Sequence, residues 1–400
     1  MSETLKSAPA ASPEPGRSRV AVAACPSYEP GDVRAALAEV IAAMGGLAAF
    51  IRPGQTVLLK PNLLSPRVPE HAVTTHPEVV RQVIRLCVEA GAGRIWVGDS
   101  PAGSHAEKEL WARTGMAAAV AGTPAELKSW QTKQIPVACG GDMLAVPEWY
   151  PQVDVVISLA KLKTHDLTAL TCALKNVYGI ISGVAKSHFH AKYPSPLAMS
   201  AFLVRVFGAL KPSLTIADAV MAMEGRGPAN GRPLPVGVLL AGRDAVAMDA
   251  VSCAALRIAP SSVPMIRMAA AAGLGRMDEA GIECVGSGVS RLRATRMKPS
   301  MSRYLRRIPE PVFRVAARLL HLRPKIRERQ CVKCGICAGV CPKKAIQPHA
   351  RTGYPAIDPA RCIVCFCCIE SCPRGAIAAR LYLGSLFCVA QPSATRGNVR

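Results

Sequence analysis

Aromatic side chains and long apolar runs are both scarce in this sequence of 400 residues. Only 4% of the residues are Phe, Trp or Tyr, although half of the chain is apolar, so the core must be built from Ala, Val, Leu and Ile. No apolar run reaches the roughly 18 residues that a membrane-spanning helix needs. The first nineteen residues also lack the apolar stretch of a secretory signal. The sequence therefore predicts a folded cytoplasmic protein with no membrane span.

Several catalytic signatures are missing as well. The sequence contains no P-loop and no Gly-x-Ser-x-Gly nucleophile motif. The glycine-rich stretch at 225–231 is not a Gly-x-Gly-x-x-Gly loop between a strand and a helix. These absences disfavour nucleotide hydrolysis, serine hydrolase chemistry and a dinucleotide fold.

Acidic residues are few, with 27 Asp and Glu against 49 Lys and Arg. About half of the net charge of +22 falls in residues 291–329, which hold thirteen basic residues and two acids. Prolines interrupt the helical spacing there, so this stretch is predicted to be a partly helical linker. It could contact an anionic lipid surface, or it could simply be solvated. Nucleic acid binding is not expected, because only Tyr304 and Phe313 could stack on bases in this stretch.

Apolar segments of strand and helix type alternate along most of the chain. Near-continuous apolar strands are predicted at 19–24, 56–60, 94–99, 153–160, 213–219 and 236–242, with helices between several of them. Such strands indicate an α/β fold, with a mainly parallel sheet covered by helices on both faces. The predicted divisions are a flexible leader (1–18), an α/β domain (19–290), a basic linker (291–325), a small C-terminal α+β two-cluster ferredoxin domain (326–380) and a tail (381–400).

Ten of the sixteen cysteines lie between Cys331 and Cys388. Eight of them form the pattern C-x2-C-x2-C-x3-C-P twice, at 331–342 and again at 362–373. Three thiolates on a tight loop can each reach one iron of a cubane, while the fourth follows a helical turn and projects away. The spacing therefore favours metal thiolates in a reducing compartment over disulfides.

This repeat resembles the bacterial two-cluster ferredoxin module, which implies two [4Fe–4S] clusters with crossed ligation. Carried onto this sequence, one cluster is held by Cys331, Cys334, Cys337 and Cys372, and the other by Cys362, Cys365, Cys368 and Cys341. A structural zinc site and purely structural clusters remain as alternatives. Cys367 departs from the usual pattern. Its alternatives are an inert thiol, an alternative cluster ligand and a redox-active group. The role of Cys388 is open.

Polar residues follow several predicted strands at their carboxyl ends, where sheets of this kind bind ligands. Cations and imidazoles are concentrated there, which suits an anionic substrate, with Lys supplying charge and His transferring protons. The candidate catalytic residues are Lys161, Lys163, His165, His188 and His190. The candidate substrate-binding residues are Lys60, Asn62, Asp99, Lys175, Asn176 and Glu224. A metal site at His165, His188 and His190 is the alternative.

Residues 19–290 resemble the DUF362 domain, which is often fused to ferredoxin modules. The resemblance rests on LLKPNLL (58–64), TTHPEVV (74–80), VGDSP (97–101), VDVVISLAKLKTHDLTALTCALKNVYGI (153–180), IADAVMAMEGRGPANGRP (216–233) and LLAGRDAVAMDAVS (239–252). It identifies a family without implying a particular reaction.

Together these features predict an iron–sulfur redox protein. Two [4Fe–4S] clusters would pass electrons to or from a small anionic substrate, or a redox partner protein, at the cleft of the large domain. Such a chain is a candidate ferredoxin-linked oxidoreductase. The alternative is an electron carrier or accessory protein whose large domain only docks a partner enzyme.

Overall fold

The computed structural model describes residues 16–101, 105–166, 168–193, 195–300 and 320–383. Most of the predicted leader, part of the basic linker and most of the C-terminal tail, including Cys388, lie outside the described residues. The predicted domain boundaries stay predictions.

The described residues form fifteen strands, mostly where apolar runs occur in the sequence. They are β1 (Ser18–Ala24), β2 (Thr56–Lys60), β3 (Arg94–Val97), β4 (Ala125–Leu127), β5 (Gln134–Cys139), β6 (Asp142–Pro147), β7 (Val155–His165), β8 (Ala169–Thr171), β9 (Leu214–Glu224), β10 (Arg232–Gly242), β11 (Ile282–Val285), β12 (Leu320–Ile326), β13 (Ile346–Pro348), β14 (Pro355–Ile357) and β15 (Ile377–Leu383).

The helices of the described residues carry apolar stripes, and several start with a capping side chain. They are α1 (Pro30–Ala43), α2 (Pro77–Glu89), α3 (Glu107–Arg113), α4 (Met116–Val120), α5 (Ala173–Asn176), α6 (Gly183–Lys192), α7 (Pro196–Ala209), α8 (Ala245–Leu256), α9 (Pro264–Ala271), α10 (Val289–Ala294), α11 (Ile336–Gly339) and α12 (Cys367–Ser371). Asp244 caps α8, because its side chain accepts a hydrogen bond from Ala247 N at 2.9 Å.

A nine-stranded sheet forms the centre of the large domain, with the order β11-β1-β10-β9-β7-β2-β3-β4 and β8 paired with β7. Neighbours from β9 to β4 are parallel, whereas β10 runs antiparallel to both β1 and β9. In β1, Val20 and Val22 pack into one core cluster, while Ala21 and Ala23 pack into the cluster on the other face. The predicted mainly parallel sheet with helices on both faces is thus confirmed.

The carboxyl ends of β2, β3, β7 and β9 meet at one edge of this sheet. The strand β7 is longer than expected: the sequence suggests that Lys161, Lys163 and His165 follow the strand, whereas the structure places them inside it. The extension is stabilised by pairing with β8 and β9. Because residues two apart on a strand share a face, these three side chains project from the same side.

The small C-terminal domain combines short strands and helices around the cysteines. The strand β12 pairs antiparallel with β15, and β13 with β14. The helices α11 and α12 each follow the first cysteines of one repeat. This arrangement confirms the predicted small α+β ferredoxin-type domain.

Candidate functional site

A buried ion pair lies at the carboxyl edge of the sheet. Lys60 ends β2 and is 0% exposed, and its Nζ is 2.8 Å from Oδ1 of Asp99, which follows β3. Burial lowers the pKa of Lys60, and the Asp99 carboxylate opposes that shift. Oδ2 of Asp99 accepts a hydrogen bond from Leu63 N at 2.6 Å. The pair thus ties two strand ends and the following loop together.

Gly179 lies directly against this ion pair. A Cβ at this position would lie 1.8 Å from Oδ1 of Asp99 and 2.6 Å from Nζ of Lys60. The backbone there also accepts a hydrogen bond from Ser100 N at 3.0 Å. Only glycine allows this close approach.

Replacing Gly179 with Ala should therefore separate Lys60 from Asp99 and leave both charges buried. We expect a loss of roughly 3 kcal/mol in the free energy of unfolding, from overpacking and a broken buried pair. Urea denaturation of the full chain measures it. Gly31→Ala is the matched control, since a Cβ at Gly31 meets no atom within 4 Å. Equal stability of the two variants would contradict the prediction.

Two asparagines connect this pair to a second buried lysine. Asn176 Nδ2 donates hydrogen bonds to Lys60 O at 3.2 Å and to Ser158 Oγ at 2.9 Å, and its Oδ1 accepts one from Asn62 Nδ2 at 3.2 Å. Asn62 Oδ1 in turn accepts a hydrogen bond from Lys163 Nζ at 2.8 Å. Burial lowers the pKa of Lys163 well below its usual value, and the neighbouring charges of other lysines add to the shift. The network fixes both amide side chains in one orientation.

Lys161 belongs to a different, closed cluster. Its Nζ is 2.7 Å from Oδ2 of Asp218 and donates to the Tyr28 hydroxyl at 2.9 Å. Tyr28 donates to the other Asp218 oxygen at 2.8 Å and stacks on His76 at 3.6 Å between ring centres. These contacts tie the loop between β1 and α1 to β7, β9 and the start of α2.

A cavity of about 60 Å³, here called the interdomain cavity, opens between the sheet edge and the cysteine-rich domain. A buried water needs about 15 Å³, so the cavity has room for roughly four water-sized groups. Its polar lining from the large domain comprises Asn62, Asp99, Ser100, Thr171, Lys175, Asn176, Tyr178, Lys186 and His190. The cysteine-rich domain contributes Val340, Cys367, Glu370 and Ser371.

Burial at the cavity lowers the pKa values of basic side chains that line it. Burial lowers the pKa of Lys186 to about 7, although Asp99 opposes the shift, and Lys186 Nζ donates a hydrogen bond to Ser100 O. Burial and the charges of Lys175 and Lys186 lower the pKa of His190 to about 3. At neutral pH His190 is therefore an uncharged imidazole, and Lys186 can both give and take a proton.

His165 contacts the cysteine-rich domain rather than the cavity. It is 0% exposed, and burial lowers its pKa well below the usual value, so the ring is neutral. Its Nδ1 accepts a hydrogen bond from Thr168 N at 3.3 Å, which leaves the ring proton on Nε2. Nε2 lies 3.4 Å from Oε1 of Glu370.

The structure brings only some of the predicted site residues together at the cavity. Asn62, Asp99, Lys175, Asn176 and His190 line it. Lys60 and Lys163 lie behind these residues, within the hydrogen-bonded network, and Lys161 and His165 are bound elsewhere. His188 is exposed on α6. Glu224 accepts a hydrogen bond from Lys298 N at 2.7 Å and does not line the cavity. Among the described residues, no three His, Cys, Asp or Glu side chains are placed to hold a single metal ion.

Sequence reasoning missed the contribution of the second cysteine repeat to this cavity. Glu370 lies between Cys368 and Cys372. An acid between two proposed cluster cysteines is the sequence feature that could have pointed to this contribution. Cys367 was noted as unusual, but nothing in its spacing showed that it faces the lysines.

The two cysteine repeats have matching backbone conformations. Positive φ angles occur at Lys333 (55°) and Gly335 (75°), and again at the equivalent positions of the second repeat, Val364 (59°) and Phe366 (60°). Left-handed backbone is costly for residues other than glycine, and such strain concentrates at functional sites. The shared backbone conformation gives the two loops the same course around their cysteines.

Four cysteines of this domain line one small cavity of about 20 Å³. They are Cys331, Cys334, Cys337 and Cys372, the set that the resemblance to bacterial ferredoxins assigns to one cluster. Burial raises the pKa of the Cys337 thiol to about 11, and the nearby Cys372 and Cys334 sulfurs add to the shift. Since three come from one repeat and one from the other, this donor set fits a [4Fe–4S] cluster with crossed ligation.

The fourth cysteine of each repeat also accepts a backbone hydrogen bond. Ala345 N donates to Cys341 Sγ and Ala376 N donates to Cys372 Sγ, both at 3.2 Å. Such bonds to ligand sulfur help to set cluster potential.

Two side chains of the large domain hold the cysteine-rich domain in place. Arg67 Nη2 donates a hydrogen bond to Cys372 O at 2.9 Å. Asn230 Nδ2 donates to Ile369 O at 3.1 Å. Together with the His165 contact, they fix α12 against the sheet edge and so close one side of the interdomain cavity.

Comparisons with known proteins agree with both parts of this architecture. A family model described as a domain of unknown function (DUF362) matches residues 57–254, and one described as a 4Fe-4S dicluster domain matches residues 330–376. The second match supports 4Fe–4S cluster binding and an iron–sulfur electron-transfer role. Within the described residues, no helix has both the length and the apolar character to cross a membrane.

The proteins similar to the chain include a curated relative and a solved structure. A protein of Thermotoga maritima with a crystal structure matches at 15% identity and a TM-score of 0.34, over 53% of this chain and 54% of that one. The thylakoid-associated protein sll1697 of Synechocystis sp. (strain ATCC 27184 / PCC 6803 / Kazusa) is 36% identical over 261 residues, which are 62% of this chain and 77% of the relative. With that degree of identity and the matched family model, the chain belongs to the DUF362 family and carries a C-terminal 4Fe–4S dicluster domain.

Proposed function

We propose that the chain binds two [4Fe–4S] clusters and exchanges electrons between them and a small anion bound in the interdomain cavity. The observation that carries this proposal is the double origin of the cavity lining. Lys175 and Lys186 come from the large domain, whereas Cys367 and Glu370 come from the helix that carries cluster cysteines. A ligand in this cavity would touch both domains at once.

The charge of the lining favours an oxygen-rich anion. Burial lowers the pKa of Lys175, and Glu370 and Cys367 oppose the shift. Lys175 and Lys186 would bind the anion by charge, and the second Nδ2 hydrogen of Asn62 would orient it, since the buried network fixes that amide. The small volume favours a compact carboxylate, bicarbonate or phosphate.

The residues of the cavity also supply protons. Bound [4Fe–4S] clusters would supply single electrons, and a two-electron reduction of the anion would consume two protons. Lys186 can donate one proton at neutral pH, because its pKa is about 7. Solvent reaching the cavity would supply the second. An external electron carrier would then reduce the protein again. If the ligand that binds is instead the reduced form, the direction of electron flow would reverse, from the ligand to the clusters.

Cluster content is tested first, by anaerobic iron and sulfide analysis with EPR on the reduced chain. We expect about eight irons and eight sulfides per chain and a spin-coupled signal from two neighbouring cubanes. The double variant Cys334→Ser, Cys365→Ser removes one ligand of each proposed set and should lose that signal. Zinc in place of iron in the intact chain would contradict the proposal.

Anion chemistry is tested on the dithionite-reduced chain by following cluster absorbance while bicarbonate, oxalate or phosphate is added. At least one small anion should bind, and a reducible one should reoxidise the clusters. Lys175→Met should weaken binding about tenfold or more, because the anion loses a half-buried charge partner. Arg85→Met, on the exposed face of α2, is the matched control. If no anion binds and the clusters remain reducible, the large domain would serve only to dock a partner enzyme.

A further inference from the structure

We propose that the exposed basic face around Cys331 and Cys334 is the docking surface for an acidic electron-carrier protein. This inference rests on the proposed function, since it identifies where electrons enter the chain. The step is a one-electron transfer: the reduced carrier is oxidised by one electron, and the cysteine-rich domain gains it.

The cysteine-rich domain has an inner and an outer end. Val340 and Cys367, which line the interdomain cavity, are the chain neighbours of Cys341 and Cys368, two cysteines of one proposed cluster set. That set therefore lies at the inner end, beside the proposed substrate site, together with Cys372 of the other set, which follows Ser371 of the cavity lining and is bound by Arg67. The other set includes Cys334, which is exposed to solvent.

The outer end has the surface of a transient protein interface. Val332 is 57% exposed beside Cys331. Three cations near this apolar side chain are exposed: Arg329 and Lys333 lie close to Val332 in the sequence, and Arg374 lines the same small cavity as Val332, Cys331 and Cys334. Lys333 is held in position, because its Nζ donates a hydrogen bond to Thr352 O at 2.8 Å and lies 4.2 Å from the centre of the Tyr354 ring. An apolar centre with a charged rim is typical of such interfaces.

The charge of the whole domain identifies the kind of partner. Residues 326–380 contain nine Lys or Arg and only three acids. One of those acids, Glu370, faces the cavity, and the other two are Glu328 and Asp358. Eight of the nine cations are exposed. A surface of this sign attracts an acidic protein, repels a basic one, and accelerates encounter at low ionic strength.

The experiment compares two triple charge reversals in the full chain loaded with iron and sulfide. The first variant carries Arg329→Glu, Lys333→Glu and Arg374→Glu. The control carries Arg34→Glu, Arg85→Glu and Lys108→Glu, which change the net charge equally at exposed positions of the large domain. The probes are an acidic plant-type [2Fe–2S] ferredoxin and basic cytochrome c. Binding of the oxidised probe and reduction by the reduced ferredoxin are both measured.

For the first variant we expect affinity and reduction rate with the acidic probe to fall about ten- to a hundredfold at low salt. The salt dependence should also flatten. For the control variant, the affinity and the reduction rate with the acidic probe should stay within about twofold of the values for the parent chain. Unchanged iron content and unchanged reduction by dithionite show that the domain still folds. Equal losses in both variants, or tighter binding of cytochrome c than of the ferredoxin to the parent chain, would overturn the proposal.

A membrane surface is the competing occupant, and flotation with vesicles of anionic phospholipid tests it. If the first variant loses vesicle binding while its ferredoxin kinetics stay unchanged, the face binds lipid and the proposal is wrong. Dithionite reduces the chain without any carrier, so anion-dependent reoxidation can succeed even if docking fails. Failure of this inference and failure of the proposed function therefore give different results.

Discussion

Replacing Cys372 with Ser should remove the cluster shared with Cys331, Cys334 and Cys337, and leave the other cluster in place. We expect the iron content to fall from about eight to about four per chain if the affected cluster is lost. If that site instead keeps a three-iron cluster, the iron content should fall by about one. The physical reason is the cavity that these four cysteines line together. If each repeat held its own cluster, the same substitution would damage the site of Cys362 instead.

EPR spectra of single variants distinguish these arrangements. With crossed ligation, the remaining signal of Cys372→Ser should match that of Cys331→Ser, whereas Cys341→Ser should match Cys362→Ser. Cys367→Ser is the control, because Cys367 is adjacent to a proposed ligand yet lines the interdomain cavity. It should keep the full iron content. A Cys372→Ser spectrum that matches Cys362→Ser would show ligation within each repeat.

The fold was largely predictable from the sequence because its signals are local. Apolar strands at 56–60 and 236–242 depend on runs of neighbouring residues, and the structure contains β2 and β10 there. The cysteine spacing is a local signal of the same kind. The length of β7 was not predictable, since its last residues are strand only through pairing with β8 and β9.

The candidate site was predictable only in part, because its geometry depends on contacts between distant segments. Lys161 and Lys163 are two residues apart and share a strand face, yet Lys161 pairs with Asp218 while Lys163 donates to Asn62. No sequence pattern separates these two environments. Glu370 reaches the cavity because Arg67, Asn230 and His165 hold α12 against the sheet, and those contacts join segments far apart in the sequence.

Anion binding in the interdomain cavity should depend on pH through Lys186. Burial lowers its pKa to about 7, so the amine is charged below pH 7 and loses its proton as the pH rises. The affinity for a small anion should therefore be greatest below pH 7. Above pH 7 it should fall by about tenfold per pH unit, until the pKa of Lys186 in the complex is passed. Calorimetric titration with phosphate or oxalate from pH 6 to pH 9 measures this profile, each anion's own ionisation being subtracted.

Lys186→Met should lower the affinity at pH 6 and flatten the profile, because the charge that titrates is gone. Two groups near the Lys186 amine do not cause the same fall in anion affinity with rising pH. His190 has a pKa of about 3 and stays neutral, and Lys60 is held in its ion pair with Asp99. Lys192→Met is the control on the same helix, since Lys192 pairs with Asp142 and does not line the cavity. An unchanged pH profile in Lys186→Met would assign the titration to Lys175 or to Glu370, the other charged groups of the lining with shifted pKa values, and remove Lys186 from the proposed proton transfer.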